Sequence, residues 1–274
     1  MSINSYLTGI ATAAIIRDQE KSAIQRSIDT LQLRLKSHFG SQFGSGVIFG
    51  SYSRDTILPR SMDTKSDVDY MVIFVDGGLR PQTYLDRLRN FADANYNRSE
   101  LEQSHPTFVL SLNHIRFELV PALRGWLGGL QIPAKASDYQ DWMDTDPNGF
   151  NDKLVRANQA HGYLIKPLVR IMKYWNAASE YPFESYLLEQ KVAGYGYGFG
   201  LLGLQASRQL SDYFFQIVQA IECEFFAPQW KKDAVSRLKQ ISSQVQTLER
   251  TGNTVQAEAA IKKLLPPVGG LIGR

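Results

Sequence analysis

Apolar positions recur at helical spacing from Ser2 to about His38, where Ile24, Ile28, Leu31 and Leu35 are separated by 4, 3 and 4 before Gly40 offers a stop. One long or once-broken helix is expected there. The following FGSQFGSGVIFGS sets a short apolar run, Val47 to Phe49, among glycines, as a loop, a brief strand and a tight turn would. A polar linker containing Pro59 runs from Arg54 to Lys65. The pattern then changes to strand: DVDYMVIFV at 67–75 is rich in β-branched and aromatic side chains, and FVLSLNHIRFELVPAL at 108–123 predicts a second pair of short strands. Between them, PQTYLDRLRNFADAN carries Tyr84, Leu88 and Phe91 at helical spacing. Beyond Asp138 the chain reads as mostly helical, in NDKLVRANQAHGYLIKPLVRIMKYWNAAS, SYLLEQKV, SDYFFQIVQAIECEFF and KKDAVSRLKQISSQVQTLER. The order implies an α+β, bilobal chain: an N-terminal spine helix at 1–40, a mixed core at 41–137, a helical lobe at 138–265 and a flexible tail at 266–274.

Composition adds limits rather than an identity. With 274 residues and 43% hydrophobic content the chain can bury a sizeable core. A net charge of +3 is too mild for a nucleic-acid coat, though a local basic patch remains compatible with phosphate ligands. The single cysteine, Cys223, excludes an internal disulfide and any zinc site built on several thiolates. The opening MSINSYLTGI lacks the features of a signal peptide, and no apolar run approaches the length of a membrane span, so no membrane partner and a cytoplasmic location are expected.

The chemistry concentrates in one strand. Asp67 and Asp69 alternate with Val68 and Tyr70, so both carboxylates leave the same face while the apolar pair faces another layer. At an effective dielectric near 20, two such charges about 4 Å apart repel by on the order of 4 kcal/mol, a cost that a divalent cation removes. Glu118, embedded in the apolar IRFELVPAL, supplies a third acid. Three convergent acids suit two Mg2+ ions, with Mn2+ able to substitute, arranged for an in-line displacement at phosphorus. The upstream turn at Gly50 and Ser51 allows close backbone approach and offers donors to phosphate oxygens. The bland alternative is that Asp67 caps a turn and Asp69 pairs with a cation at a strand end.

GSYSRDT, SDVDYMVIF and FELVPA together resemble the nucleotidyltransferase signature of the polymerase β-like superfamily, with the closer likeness to the oligoadenylate synthase and cyclic GMP-AMP synthase group and its bacterial second-messenger synthases. The likeness extends from the first helix through about residue 190. It implies a small twisted mixed sheet joined to a helical lobe, and transfer of a nucleotidyl group from an NTP to a ribose hydroxyl with loss of pyrophosphate. Gly50 and Ser51 would touch the donor phosphates, Asp67 and Asp69 would bridge both metals, and Glu118 would take the third ligand role, where many members carry aspartate. In the helical lobe Lys166, Arg170 and Lys173 form a spaced basic row, by itself a solvated helix face; the resemblance places a triphosphate-binding lysine at Lys173. PFESYLLEQKV resembles the segment in which a serine contacts the triphosphate and a tyrosine stacks on the donor base, here Ser185 and Tyr186, against the plainer alternative of a helix cap and a core tyrosine.

The expected product is a cyclic di- or oligonucleotide second messenger in bacterial antiphage signalling, acting on a downstream effector protein. The alternatives are a non-cyclising transferase that modifies a small molecule, protein or RNA end, and a catalytically silent binding module. GSGVIFGS lacks both the spacing and the strand-first context of a dinucleotide-binding loop, and there is no phosphate-loop motif. GYGYGFG at 194–200 reads as a bend or a close helix contact. His38, His105, His114 and His161 show no zinc spacing, and the shortage of cysteines argues against activation by double-stranded DNA.

Overall fold

The structure is a computed structural model that describes residues 1–96, 100–104, 107–112, 115–125, 128–134, 141–198 and 209–268. The N-terminal helix is once broken, into α1 (Ile3–Ala13) and α2 (Asp18–Phe39). The two pieces belong to different compact units. One unit comprises Met1–Ile15, Leu58–Thr64 and Phe150–Arg274, and the other comprises Ile16–Ile57 and Lys65–Gly149. The expected 1–40 spine is therefore shared between them.

The second unit is built on a mixed sheet of seven described strands: β1 (Phe43–Phe49), β2 (Asp67–Phe74), β3 (Glu100–Ser104), β4 (Thr107–Ser111), β5 (Arg116–Arg124), β6 (Leu130–Pro133) and β7 (Trp142–Thr145). Along the sheet β1, β2, β5, β4 and β3 are neighbours in that order, and β6 joins β5 to β7. Among the described strands only the β2–β5 ladder is parallel. A four-residue helix, α3 (Gly50–Ser53), follows β1, and α4 (Pro81–Asn95) coincides with the helical pattern read from the sequence. One sheet face and the apolar sides of α2 and α4 enclose a core that includes Ile28, Leu31, Leu35, Val68, Tyr70, Tyr84, Leu88, Phe91, Phe117 and Leu119.

Several boundaries differ from the sequence reading. β1 starts four residues before the apolar run at Val47, because the pattern of glycines conceals a paired strand. Gly46 is required within it: an added Cβ would overlap the Tyr70 hydroxyl on the neighbouring strand. Burial pushes that phenol up to about 12. The expected boundary at 137/138 falls before β7, and the sheet-bearing unit continues to Gly149. β6 and β7 are four-residue strands, too short to produce a clear alternation.

The first unit is helical. It contains α1, α5 (Asn151–Ala160), α6 (Ile165–Ala178), α7 (Ser185–Gly194), α8 (Leu210–Ala220), α9 (Gln229–Arg250) and α10 (Thr254–Ile261). Its core includes Leu7, Leu154, Leu168, Met172, Trp175, Leu188, Tyr213, Phe214, Leu238 and Ile261. α8 stops at Ala220 rather than continuing through ECEFF, since Ile221 adopts extended backbone, ψ 126°. In the glycine-aromatic segment, Tyr197 is buried and its hydroxyl donates to the Val192 carbonyl at 2.8 Å; positions 199–200 lie outside the described residues. His38 and His161 pack against aromatic rings, whereas His105 and His114 lie outside the described residues, as do positions 269–274 of the expected tail. Among the described residues no helix is long and apolar enough to cross a membrane.

Candidate active site

The strand alternation in β2 buries Val68 and Tyr70 and turns Asp67 and Asp69 onto the opposite face. In β5 the same alternation buries Phe117 and Leu119 and turns Glu118 out. A one-residue slip in either strand would carry the acids into the hydrophobic core, so the core itself fixes their register. Asp69 and Glu118 are direct partners across the parallel ladder. One carboxylate oxygen from each of Asp67, Asp69 and Glu118 lies within 4.8 Å of the others, and all three residues are partly buried.

Two details shape this cluster. The first is Gly50, which follows β1 with φ +69° and sits against Asp69, such that an added Cβ would overlap the Asp69 carboxylate. Any side chain there would be strained and would displace the acid. Beyond it the turn closes on Ser51, whose carbonyl accepts from the Thr56 and Ile57 amides at 2.9 and 3.1 Å. The second is Thr107 on β4, whose hydroxyl donates to Glu118 Oε1 at 2.6 Å. Sequence reasoning missed Thr107, because its diagonal placement follows only from the β4–β5 register, in which Val109 opposes Glu118.

The sheet-bearing unit thus gathers Gly50, Ser51, Asp67, Asp69 and Glu118. Lys173, Ser185 and Tyr186 all lie in the helical unit. Lys173 is 5% exposed and its Nζ donates to Glu189 Oε1 at 3.1 Å, with Glu189 1% exposed. Arg170 is also buried, so the basic row on α6 is not a solvated face. Ser185 is the first residue of α7 and Glu184 stands at the cap position, which removes the reading of Ser185 as a cap. Tyr186 is 47% exposed, with its ring edge-on to Phe150 at 5.6 Å, and is not a core tyrosine.

A hard divalent cation takes oxygen ligands, and three carboxylates this close together would otherwise repel one another. The donor set therefore fits such an ion. Among the described residues this is the one cluster of three or more metal-ligating side chains.

Comparison with known proteins shows the family and the fold. The model of the Second Messenger Oligonucleotide or Dinucleotide Synthetase domain matches residues 1–158. A probable cyclic nucleotide synthase of Bacillus cereus is 25% identical over 162 residues, covering 56% of this chain and 47% of the relative, so the match spans about half of that protein's length. Among solved structures, the apo form of Vibrio cholerae DncV superposes with a TM-score of 0.74 at 11% identity, covering 97% of this chain and 96% of that one. Bradyrhizobium diazoefficiens CdnG in complex with GTP gives 0.63 at 11% identity, covering 95% and 98%. E. coli CdnC with ATP gives 0.60 at 13% identity, covering 96% and 94%. These three show a shared α+β fold over nearly the whole chain. With the domain model covering more than half of its 274 residues, the chain belongs to the Second Messenger Oligonucleotide or Dinucleotide Synthetase domain family.

Proposed function

We propose that this chain is a nucleotidyltransferase that joins ribonucleoside triphosphates into a cyclic di- or oligonucleotide and releases pyrophosphate. The observation that carries this reading is the convergence of Asp67, Asp69 and Glu118 within 4.8 Å beside a glycine that admits no side chain. Family membership and the name of the Bacillus relative as a cyclic nucleotide synthase support it. Two Mg2+ ions, for which Mn2+ would substitute, would when bound supply neutralisation of phosphate charge and activation of the attacking hydroxyl.

Asp67 and Asp69 would hold both ions and Glu118 would complete the ligand set, with its second oxygen oriented by the Thr107 bond. Gly50 and Ser51 donate to the donor triphosphate. The acceptor ribose hydroxyl then forms a bond to the α-phosphorus as the bond to the bridging oxygen breaks. Pyrophosphate leaves, and the hydroxyl proton passes toward the carboxylate face. From the helical unit, Tyr186 offers an exposed ring for stacking on a base, and Ser185 a hydroxyl for the triphosphate. Lys173 joins them only by exchanging Glu189 for a phosphate. In this reading the protein works in the cytoplasm of a bacterium, and its product signals to an effector protein in antiviral defence.

The test is incubation with the four NTPs and Mg2+, followed by phosphatase treatment and mass spectrometry. Phosphatase-resistant cyclic products and pyrophosphate are expected. Asp67→Asn and Asp69→Asn should lower the rate by at least about 100-fold without loss of fold. An undiminished rate in either variant would refute the assignment, and products that phosphatase degrades would point to transfer without cyclisation.

A further inference from the structure

Arg116 opens β5 two residues before Glu118, so its side chain leaves the sheet on the face that carries the carboxylates. It is the register partner of Asp67 across the parallel ladder and of Ser111 on β4. Its Nε is buried and has no hydrogen-bond partner among the described residues. An orphaned donor of this kind is costly, and a guanidinium presents Nε and a terminal nitrogen together as a fork that matches two phosphate oxygens.

The sheet order says which phosphate. β1, which leads into the Gly50 and Ser51 turn, pairs with one edge of β2, while β5 pairs with the other. The aspartates therefore stand between that turn on one side and Arg116 with Glu118 on the other. If the turn holds the donor triphosphate, the second substrate of an in-line transfer comes from the β5 side. We infer that Arg116 binds a phosphate of the acceptor nucleotide and makes the enzyme prefer nucleotides over nucleosides as acceptors. The inference rests on the transferase reading and adds a residue that the acid motif does not contain.

The experiment is calorimetric titration, in Mg2+, of the wild-type chain, Arg116→Gln, Arg116→Lys and Ser51→Ala, with circular dichroism as a check of fold. The probes are nucleoside 5′-monophosphates, the parent nucleosides and α,β-methylene NTPs. The wild type should bind monophosphates at least about tenfold more tightly than nucleosides, Arg116→Gln should erase that preference, and Arg116→Lys should restore part of it. The first equivalent of α,β-methylene NTP should bind the two Arg116 variants within about twofold of wild type and should weaken in Ser51→Ala. Equal monophosphate affinity in wild type and Arg116→Gln overturns the inference, as does an NTP affinity that falls as far as the monophosphate affinity. Failure of the transferase reading is a separate result: a wild type that makes no product from NTPs, yet whose monophosphate preference still depends on Arg116.

Discussion

Gly50 and Thr107 show how single residues hold the acidic face in shape. At Gly50 a side chain meets two penalties, a positive φ costing about 1–2 kcal/mol for an L-residue and an overlap with the Asp69 carboxylate. Gly50→Ala is therefore expected to lose product formation far more than stability, a contrast that parallel rate assays and thermal melts would expose. Equal activity in the variant would mean that Asp69 need not stand where it does. Thr107→Val keeps the shape of the side chain and deletes the donor to Glu118. Loss of such an orienting bond costs about 10–100-fold in metal affinity or activity, and Thr107→Ser should recover most of it. A Mn2+ titration of both variants measures this directly. At this scale the aspartates were legible in the sequence because alternation along a strand fixes their face. Thr107 was not, because no local pattern reveals which residue lies diagonally across a ladder.

Among elements, α6 and α7 carry the clearest energetic statement. Lys173 and Glu189 form an ion pair almost fully removed from water. Lys173→Met removes one cation from beside the buried Glu189 and should destabilise the fold by up to about 3–5 kcal/mol, whereas Lys173→Met combined with Glu189→Met should recover much of that loss. Urea denaturation of the two variants against wild type decides it; a mild effect of the single change would show that Glu189 finds another cation. The sequence marked Lys173 as part of a row of cations but could not show Glu189 opposite, since that contact joins two helices. The elements that sequence reasoning found, α2, α4, β2 and β5, have long periodic patterns or dense β-branched runs. Those it missed or shortened, β1, β3, β6 and β7, are glycine-bearing or only four to five residues long, and their pairing depends on the sheet rather than on their own residues.

For the molecule as a whole, family membership could be read from the spacing of Gly50, Ser51, Asp67, Asp69 and Glu118, and so could a bilobal chain, while the allocation of the N-terminal helix to two units could not. Tertiary contacts assign α1 to the helical unit and α2 to the sheet-bearing one, a split invisible in a continuous helical pattern. The acidic site lies wholly within the sheet-bearing unit, so its metal binding should be lost by changes there without unfolding the chain. The most direct measurement is a calorimetric titration of Mn2+ into the chain saturated with a non-hydrolysable NTP, alongside Asp67→Asn and Asp69→Asn. This account predicts two bound ions in the wild type and the loss of at least one in each variant. A wild type that takes up no ion, or variants that bind as many as it does, would contradict it.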